Sequence, residues 1–366
     1  MSPAHVNSLL TIVPHSVRNC RIVVTLSLYK AGCRQGWPTA DVPAATATDE
    51  EAEQLLRFFV CRVAGVTESN MVWPVLREIA MPRIAYVNGR YVAHRDASVH
   101  IEDRGYQFAD GVYEVCEIAR GFIVDMTRHL DRLDRSLSEL SIGWPMHRSA
   151  LIVVLREVIR RNRVRNGLVY LQITRGVAPR DHPFPSGVRP SLVVTARRID
   201  PETLRHKAET GVKVITVPEN RWDRVDIKTV GLLPNVLAKQ KAKEAGAYEA
   251  WFVDPDGTVR EGSSTNAWIV TRDGILVTRP ADHGILRGVT RTTLFDVAAR
   301  LGLRIEERAF TVGEALAARE AFLSSATTLA TPIVAIDGHA VANGHPGSLT
   351  LSLRQAFFEI AEKSPA

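Results

Sequence analysis

The chain has 366 residues, 45% hydrophobic and 23% charged, with 24 glycines, 19 prolines and a net charge of +6. This composition excludes collagen, low-complexity disorder and a small disulfide scaffold, and a chain of this length buries a full core without metals or staples. The basic excess is too diffuse to argue for nucleic acid and fits anionic small substrates.

Residues 1–80 differ from the rest. They hold seven Lys or Arg and seven Asp or Glu, so the whole excess lies from residue 81 onward. Three of the four cysteines (Cys20, Cys33, Cys61) fall here and the fourth is Cys116. No CxxC pair occurs, so neither a metal site nor a redox dithiol is indicated, and a reduced, cytoplasmic protein is the default. His15, Arg18 and Arg21 interrupt the apolar stretches, so no run reaches the ~18–20 residues of a membrane span. No basic segment precedes an apolar one, so a secretory signal is not expected. Thr39 to Thr48 reads as a linker and 51–65 as a short amphipathic helix. Residues 1–80 are expected to be a disordered or misassigned extension, with Met81 as the natural start.

Regular patterning begins at Arg83. Ile84 to Val87, Asn88-Gly89 and Arg90 to Ala93 form a hairpin signature, since Asn-Gly accepts the positive φ angles of a type I′ turn. Two glycines in the run Arg104 to Glu114 point to a shaped loop. A second hairpin follows, Tyr113 to Ala119 and Phe122 to Val124 about Arg120-Gly121. Leu130, Leu133, Leu137 and Leu140 recur at helical spacing over 127–141, and 148–162 is a second amphipathic helix. Leu168 to Thr174 and Ser191 to Ala196 are buried strands, separated by a Pro- and Gly-rich loop over 176–190. A loop of that length inside a compact domain is often functional.

The pattern pauses at Asp200-Pro201, which divides a small α/β domain (81–200) from a larger domain (201–366). Beyond it come a strand at Val212 to Val217, an irregular stretch and a helix from Pro234 to Ala245. Strands follow at 248–253, 266–270, 275–277, 304–309, 321–325 and 333–336, with helices at 291–301 and 349–362. Helices and strands mix without strict βαβ alternation, which gives an α+β or mixed α/β fold.

Several residue groups can carry chemistry. Lys228, at an element end among apolar neighbours, can be partly desolvated, and desolvation favours the nucleophilic amine. By itself it reads as a surface lysine. Lys239, Lys241 and Lys243 belong on the exposed face of the next helix. Glu261 to Asn266 (EGSSTN) offers a carboxylate, hydroxyls and amides to an anion or a ring, or is an ordinary polar turn. Gly288-Val-Thr290 at a helix start presents N–H groups to a phosphate, or is a capped helix. Ser324 to Thr328 precedes a break at Thr331-Pro332. Arg132 points away from the centre of its leucine stripe, as a solvated residue would. Arg180 and His182, in a loop held by three prolines, can clamp a carboxylate. Ser263-Ser264 lacks the Gly-x-Ser-x-Gly elbow, and neither a dinucleotide fingerprint nor a P-loop follows a strand.

The order of these motifs is specific. Arg104 to Glu114, His129 to Leu133, Thr174-Arg-Gly176, Asp226 to Thr229, Asn235 to Gln240, Glu261 to Asn266 and Gly288 to Arg291 together resemble the class IV aminotransferases over about residues 83–362. Arg180 and His182 bring the chain nearest to the D-amino-acid branch of that class.

The resemblance implies a two-domain fold-type IV structure, a homodimer, small amino acid and 2-oxo acid substrates, and pyridoxal 5′-phosphate as cofactor. Lys228 matches the catalytic lysine that holds the cofactor, and Glu261 the carboxylate on its ring nitrogen. Arg132, Val289, Thr290, Ser325 and Ala326 match the phosphate contacts. Leu286 matches the apolar residue under the ring and Tyr113 an active-site tyrosine. Arg180 and His182 match the trap for the substrate carboxylate. Ala326 stands where relatives commonly carry threonine, which leaves only a backbone N–H. Asp181 lies between the trap residues and would weaken the trap if it turned inward. The implied reaction takes D-alanine and 2-oxoglutarate to pyruvate and D-glutamate. Branched-chain or (R)-amine transamination, and 4-amino-4-deoxychorismate lyase chemistry, are alternatives on the same scaffold.

Overall fold

The computed structural model describes residues 83–366, together with two short strands, Arg21–Ile22 and Val42–Pro43, which pair antiparallel. The second of these falls within the expected linker at 39–48. The expected helix at 51–65, Cys20, Cys33, Cys61 and the character of residues 1–80 lie outside the described residues.

In chain order, the first sheet takes β1 (Ile84–Val87), β2 (Arg90–Ala93), β3 (Gly111–Ala119), β4 (Phe122–Val124), β5 (Gly167–Thr174) and β6 (Ser191–Arg198). Both hairpins form as read, with Asn88-Gly89 and Arg120-Gly121 in positive φ. The second sheet takes β7 (Val212–Pro218), β8 (Glu249–Val253), β9 (Val259–Gly262), β10 (Asn266–Val270), β11 (Leu276–Thr278), β12 (Ile305–Glu307), β13 (Glu320–Ser325), β14 (Leu329–Ile336) and β15 (His339–Ala340). The chain then returns to the first sheet with β16 (Lys363–Pro365), giving the order β16-β4-β3-β5-β6-β1-β2. The second sheet runs β9-β8-β7-β14-β13-β10-β11-β12, with β15 paired to β14.

Helices Met126–Glu139 and Arg148–Arg161 bury Leu130, Leu133, Leu137, Leu151, Leu155 and Val158 against the first sheet. Each fully buried leucine is worth about 1.5–3 kcal/mol relative to exposure. On the second sheet, Trp268 stacks on Phe322 at 5.4 Å, in a cluster with Leu294, Val297, Leu353 and Phe357 from helices Val289–Arg300 and Ser348–Ile360. Among the described residues no helix is long and apolar enough to cross a membrane, and no group of three or more His, Cys, Asp or Glu could hold a metal ion.

Three expectations need correction. The pause at Asp200-Pro201 is the start of a helix, Pro201–Thr210: Asp200 accepts from the Glu202 N–H, Pro201 needs no donor there, and Gly211 at φ 71° ends it. Thr331-Pro332 is no break but the middle of β14. Pro332 lies opposite Phe322 of β13, and pairing with β7 on the other side begins only at Ile333, so the missing N–H costs nothing there. The helix expected at 291–301 begins two residues earlier, at Val289.

Candidate active site

A cavity of about 770 Å³ opens between residues of β3, the irregular 221–232 stretch with the start of helix Leu233–Glu244, the 261–266 turn and the Val289 helix start. Its size suits a cofactor with a small substrate.

Lys228 is held by its backbone. Its N–H donates to Ser136 Oγ (3.3 Å), and its carbonyl accepts from the Tyr113 N–H (3.1 Å). Thr229 bridges Val112, so the lysine segment runs along an edge of β3. Asp226, 4% exposed, accepts from Arg135 (2.5 Å) and Arg224 (3.1 Å) and anchors the same stretch. Burial pushes its carboxyl up, but these arginines outweigh it and bring it down to about 2. The Lys228 Nζ lies 4.3 Å from the centroid of the Tyr113 ring, and no described carboxylate comes within ion-pair distance. It is a half-buried amine held over an aromatic face, not a solvated surface lysine.

Glu261, 5% exposed, sits at the end of β9. Its oxygens accept from Arg221 Nη1 (2.7 Å), Asn266 Nδ2 (3.0 Å) and the Leu286 N–H (3.2 Å). Burial pushes the carboxyl up, and Arg221 opposes it without cancelling it. Asn266 also donates to the Leu286 carbonyl (2.9 Å), so one amide joins the 261–266 turn to the segment leading to the helix.

That helix presents free donors. The N–H groups of Val289, Thr290 and Arg291 have no acceptor among the described residues, and the first bonded one is Thr292, to the Gly288 carbonyl. A Cβ at Gly288 would lie 2.0 Å from Asn266 Oδ1, so glycine is required for this close approach. A second turn faces the same end, where Ser325 Oγ bonds the hydroxyls of Thr327 (3.1 Å) and Thr328 (2.9 Å), with Ala326 beside it on the cavity wall.

Arg132 corrects the sequence expectation of a solvated residue, because its side chain is only 11% exposed. It donates through Nε and Nη2 to Glu114 (2.7 and 2.8 Å) and through Nη1 to the Arg287 carbonyl (3.1 Å). Glu114 is fully buried and also contacts His129 Nδ1 (2.7 Å). Burial pushes the Glu114 carboxyl up, yet Arg132 and His129 outweigh it and hold it well below the usual carboxylate range. Lys239 also departs from expectation: it is 40% exposed and pairs with buried Glu249 at 3.2 Å.

The loop residues behave differently. His182 lines the cavity and tilts on Phe108 at 5.5 Å. Arg180 is exposed, lies 4.9 Å from the Phe108 centroid, and is not on the cavity wall formed by this chain. The Asp181 carboxylate does not turn inward, since it accepts from the His182 N–H (2.8 Å).

Sequence reasoning marked Asn266 within the 261–266 run but missed the roles of Glu114, Arg221 and Glu249. Glu114 had a signal: on β3 it shares the Val112, Cys116 and Ile118 face, where a charge is out of place. Glu249, fully buried, accepts from the hydroxyls of Ser263 and Ser264 (2.7 Å for Ser264) and holds the 263–265 turn from behind.

The arrangement fits pyridoxal 5′-phosphate. Free helix N–H groups and a hydroxyl turn suit a phosphate, a buried carboxylate suits a ring nitrogen, and an unpaired amine suits a carbonyl. A family model described as class IV amino-transferase matches residues 111–336. A D-alanine aminotransferase of Bacillus licheniformis is 40% identical over 269 residues, 74% of this chain and 94% of the relative. The branched-chain amino acid aminotransferase of Escherichia coli superposes with a TM-score of 0.71 at 24% identity, covering 76% of this chain and 94% of that one. A branched-chain aminotransferase of the archaeon Thermoproteus uzoniensis, solved with norvaline, gives 0.67 at 25%, covering 76% and 98%. With the family model spanning both sheets and a relative matched over nearly its whole length, the chain belongs to the class IV aminotransferases, which are pyridoxal phosphate-dependent transaminases.

Proposed function

We propose that the protein transaminates D-amino acids, taking D-alanine and 2-oxoglutarate to pyruvate and D-glutamate. The observation that carries this reading is the convergence of the Lys228 amine and the buried Glu261 carboxylate on one cavity. The relative from Bacillus licheniformis supports the choice of D-alanine.

Bound pyridoxal phosphate supplies an electron-withdrawing ring that stabilises negative charge at the substrate Cα. Lys228 holds the cofactor and then moves the proton at Cα as general base and acid, a role worth about 10²–10⁴-fold. Glu261 keeps the ring nitrogen protonated, and Arg221 opposes the effect of burial that favours the neutral carboxyl. The Val289 and Thr290 N–H groups, the Ser325 and Ala326 turn and Arg132 hold the phosphate. Leu286 and Tyr113, both on the cavity wall, would contact the ring. Arg180 and His182 take the substrate carboxylate, and the orientation they impose decides which enantiomer presents its Cα proton to Lys228.

The protein works as a homodimer. Leu233, Val236 and Leu237, at i, i+3 and i+4 on helix Leu233–Glu244, are 68%, 58% and 54% exposed, an apolar stripe that a second copy would cover. A cytoplasmic setting accords with cysteines that form no CxxC pair and with the free thiol of Cys116.

Branched-chain transamination is the second reading, favoured by the branched-chain enzymes among the structural neighbours. Turnover of D-alanine and of L-leucine with 2-oxoglutarate separates the two. Faster D-alanine turnover is expected, and faster L-leucine turnover would overturn the D-specific assignment.

A further inference from the structure

The 180–184 loop is held by a pair of buried arginines that the reaction as described does not use. Arg104, 3% exposed, donates through Nε to Asp110 Oδ2 (2.8 Å), through Nη1 to the Asp181 carbonyl (2.5 Å) and through Nη2 to the His182 carbonyl (3.2 Å). Arg175, 7% exposed, grips the same Asp110 carboxylate through Nε (2.7 Å) and Nη2 (3.0 Å). It also donates to the carbonyls of Leu140 (2.7 Å) and Ser141 (3.2 Å), and its guanidinium covers the Phe184 ring at 3.5 Å. Burial pushes the Asp110 carboxyl up, but the two arginines outweigh it, so it stays ionised between them.

Among the described residues, no other hydrogen bond ties residues 179–187 to the rest of the chain. The backbone contacts of the loop stop at Ala178, whose N–H reaches the Glu102 carbonyl (3.3 Å). Arg104 thus grips the loop at the backbone of the very residues that carry or flank the carboxylate-binding side chains. Its planar fork meets three acceptors at once, which a lysine ammonium on a flexible stem does not reproduce.

We propose that Arg104 is a positioning residue for the substrate carboxylate. Through the Asp181 and His182 carbonyls, on a base formed by Asp110 and Arg175, it fixes Arg180 and His182 in the orientation that receives the carboxylate. This inference rests on the reading of Arg180 and His182 as the carboxylate trap.

The test is a double-mutant cycle on the holoenzyme, with Arg104→Gln, Arg180→Met and their combination assayed with D-alanine and 2-oxoglutarate. Arg104→Gln is expected to raise KM for D-alanine roughly tenfold with kcat within about threefold, the pattern of lost substrate binding. The visible absorption of the bound cofactor and its rate of reaction with hydroxylamine, which carries no carboxylate, are expected to stay unchanged. Once Arg180 is methionine, Arg104→Gln is expected to add clearly less than it does alone, because the share it exerts through Arg180 is gone and only the share through His182 remains. Arg104→Lys keeps a cation on Asp110, gives an intermediate KM, and carries the same test if the glutamine variant does not fold. A raised KM in Arg180→Met with an unchanged KM in the Arg104 variants overturns the proposal alone. Effects that multiply in the double variant, or a fall in kcat with altered cofactor absorption, also overturn it, because they mark a general role in the scaffold. An unchanged KM in Arg180→Met overturns the trap reading and the proposal with it.

Discussion

The two ends of the cavity are built differently. At the cofactor end, the charged groups are buried and each carboxylate is satisfied from several elements: Glu261 by Arg221, Asn266 and Leu286, and Glu114 by Arg132 and His129. At the other end, His182 reaches the cavity from an exposed loop that two carbonyl contacts tie down, and Arg180 on the same loop lies off the wall formed by this chain. Buried, multiply bonded charges give a fixed frame, because breaking any one contact leaves another charge uncompensated. An exposed loop can change with little cost to the fold. On the proposed function, the chemistry falls to the rigid end and the choice of substrate to the adjustable one.

Substitutions at the two ends should separate cleanly. Lys228→Ala is expected to lower transamination by more than about 10³-fold, since it removes both the covalent anchor and the proton carrier. Steady-state turnover and the loss of a borohydride-reducible link to the cofactor check this. Glu261→Gln is expected to lower kcat about 10²-fold with a shifted cofactor absorption, because an amide does not hold the ring nitrogen protonated. Glu114→Gln strikes the same end one step removed. Releasing Arg132 from its buried carboxylate is expected to weaken cofactor affinity about tenfold, measured by reconstituting apoenzyme. A change in D-alanine KM alone in any of these three variants would break the division between the ends.

The smallest expected effect falls on stability. Glu117, on β3, has one oxygen buried without a partner, and burial pushes its carboxyl up to about 7, with Arg354 opposing and Asp125 adding to the rise. Because the folded state holds this proton more tightly than the unfolded chain, stability falls as pH rises from the ordinary carboxylate range through 7. Glu117→Gln is expected to remove that slope and to gain about 1 kcal/mol at pH 8. Thermal unfolding at pH 5.5 and pH 8 measures it, and equal slopes in both proteins would count against the assignment.

Much of this was legible in the sequence where a local pattern carried the information. The Asn88-Gly89 hairpin and the leucine stripe at 130, 133 and 137 form as read. The order of the motifs led to the family, and most of the residues they marked line one cavity. What stayed hidden depends on partners distant in the chain. Arg132 reads as solvated until Glu114 is known to lie behind it, 18 positions away. Strand Lys363–Pro365 is three residues long and pairs with β4 from the far end of the chain, so no periodicity announces it. The helix at Pro201–Thr210 is a different case. Its Asp-Pro start and Gly stop were present in the sequence, but its charged surface gave little apolar stripe to recognise, with Ala208 the one buried residue.

The most direct test of the division between the two ends is to locate the cofactor's anchor. Holoenzyme reduced with borohydride and digested is mapped by mass spectrometry. The expected result is the cofactor's mass on the peptide containing Lys228 and on no other. A label on Lys239 or another lysine, or no label at all, would contradict it.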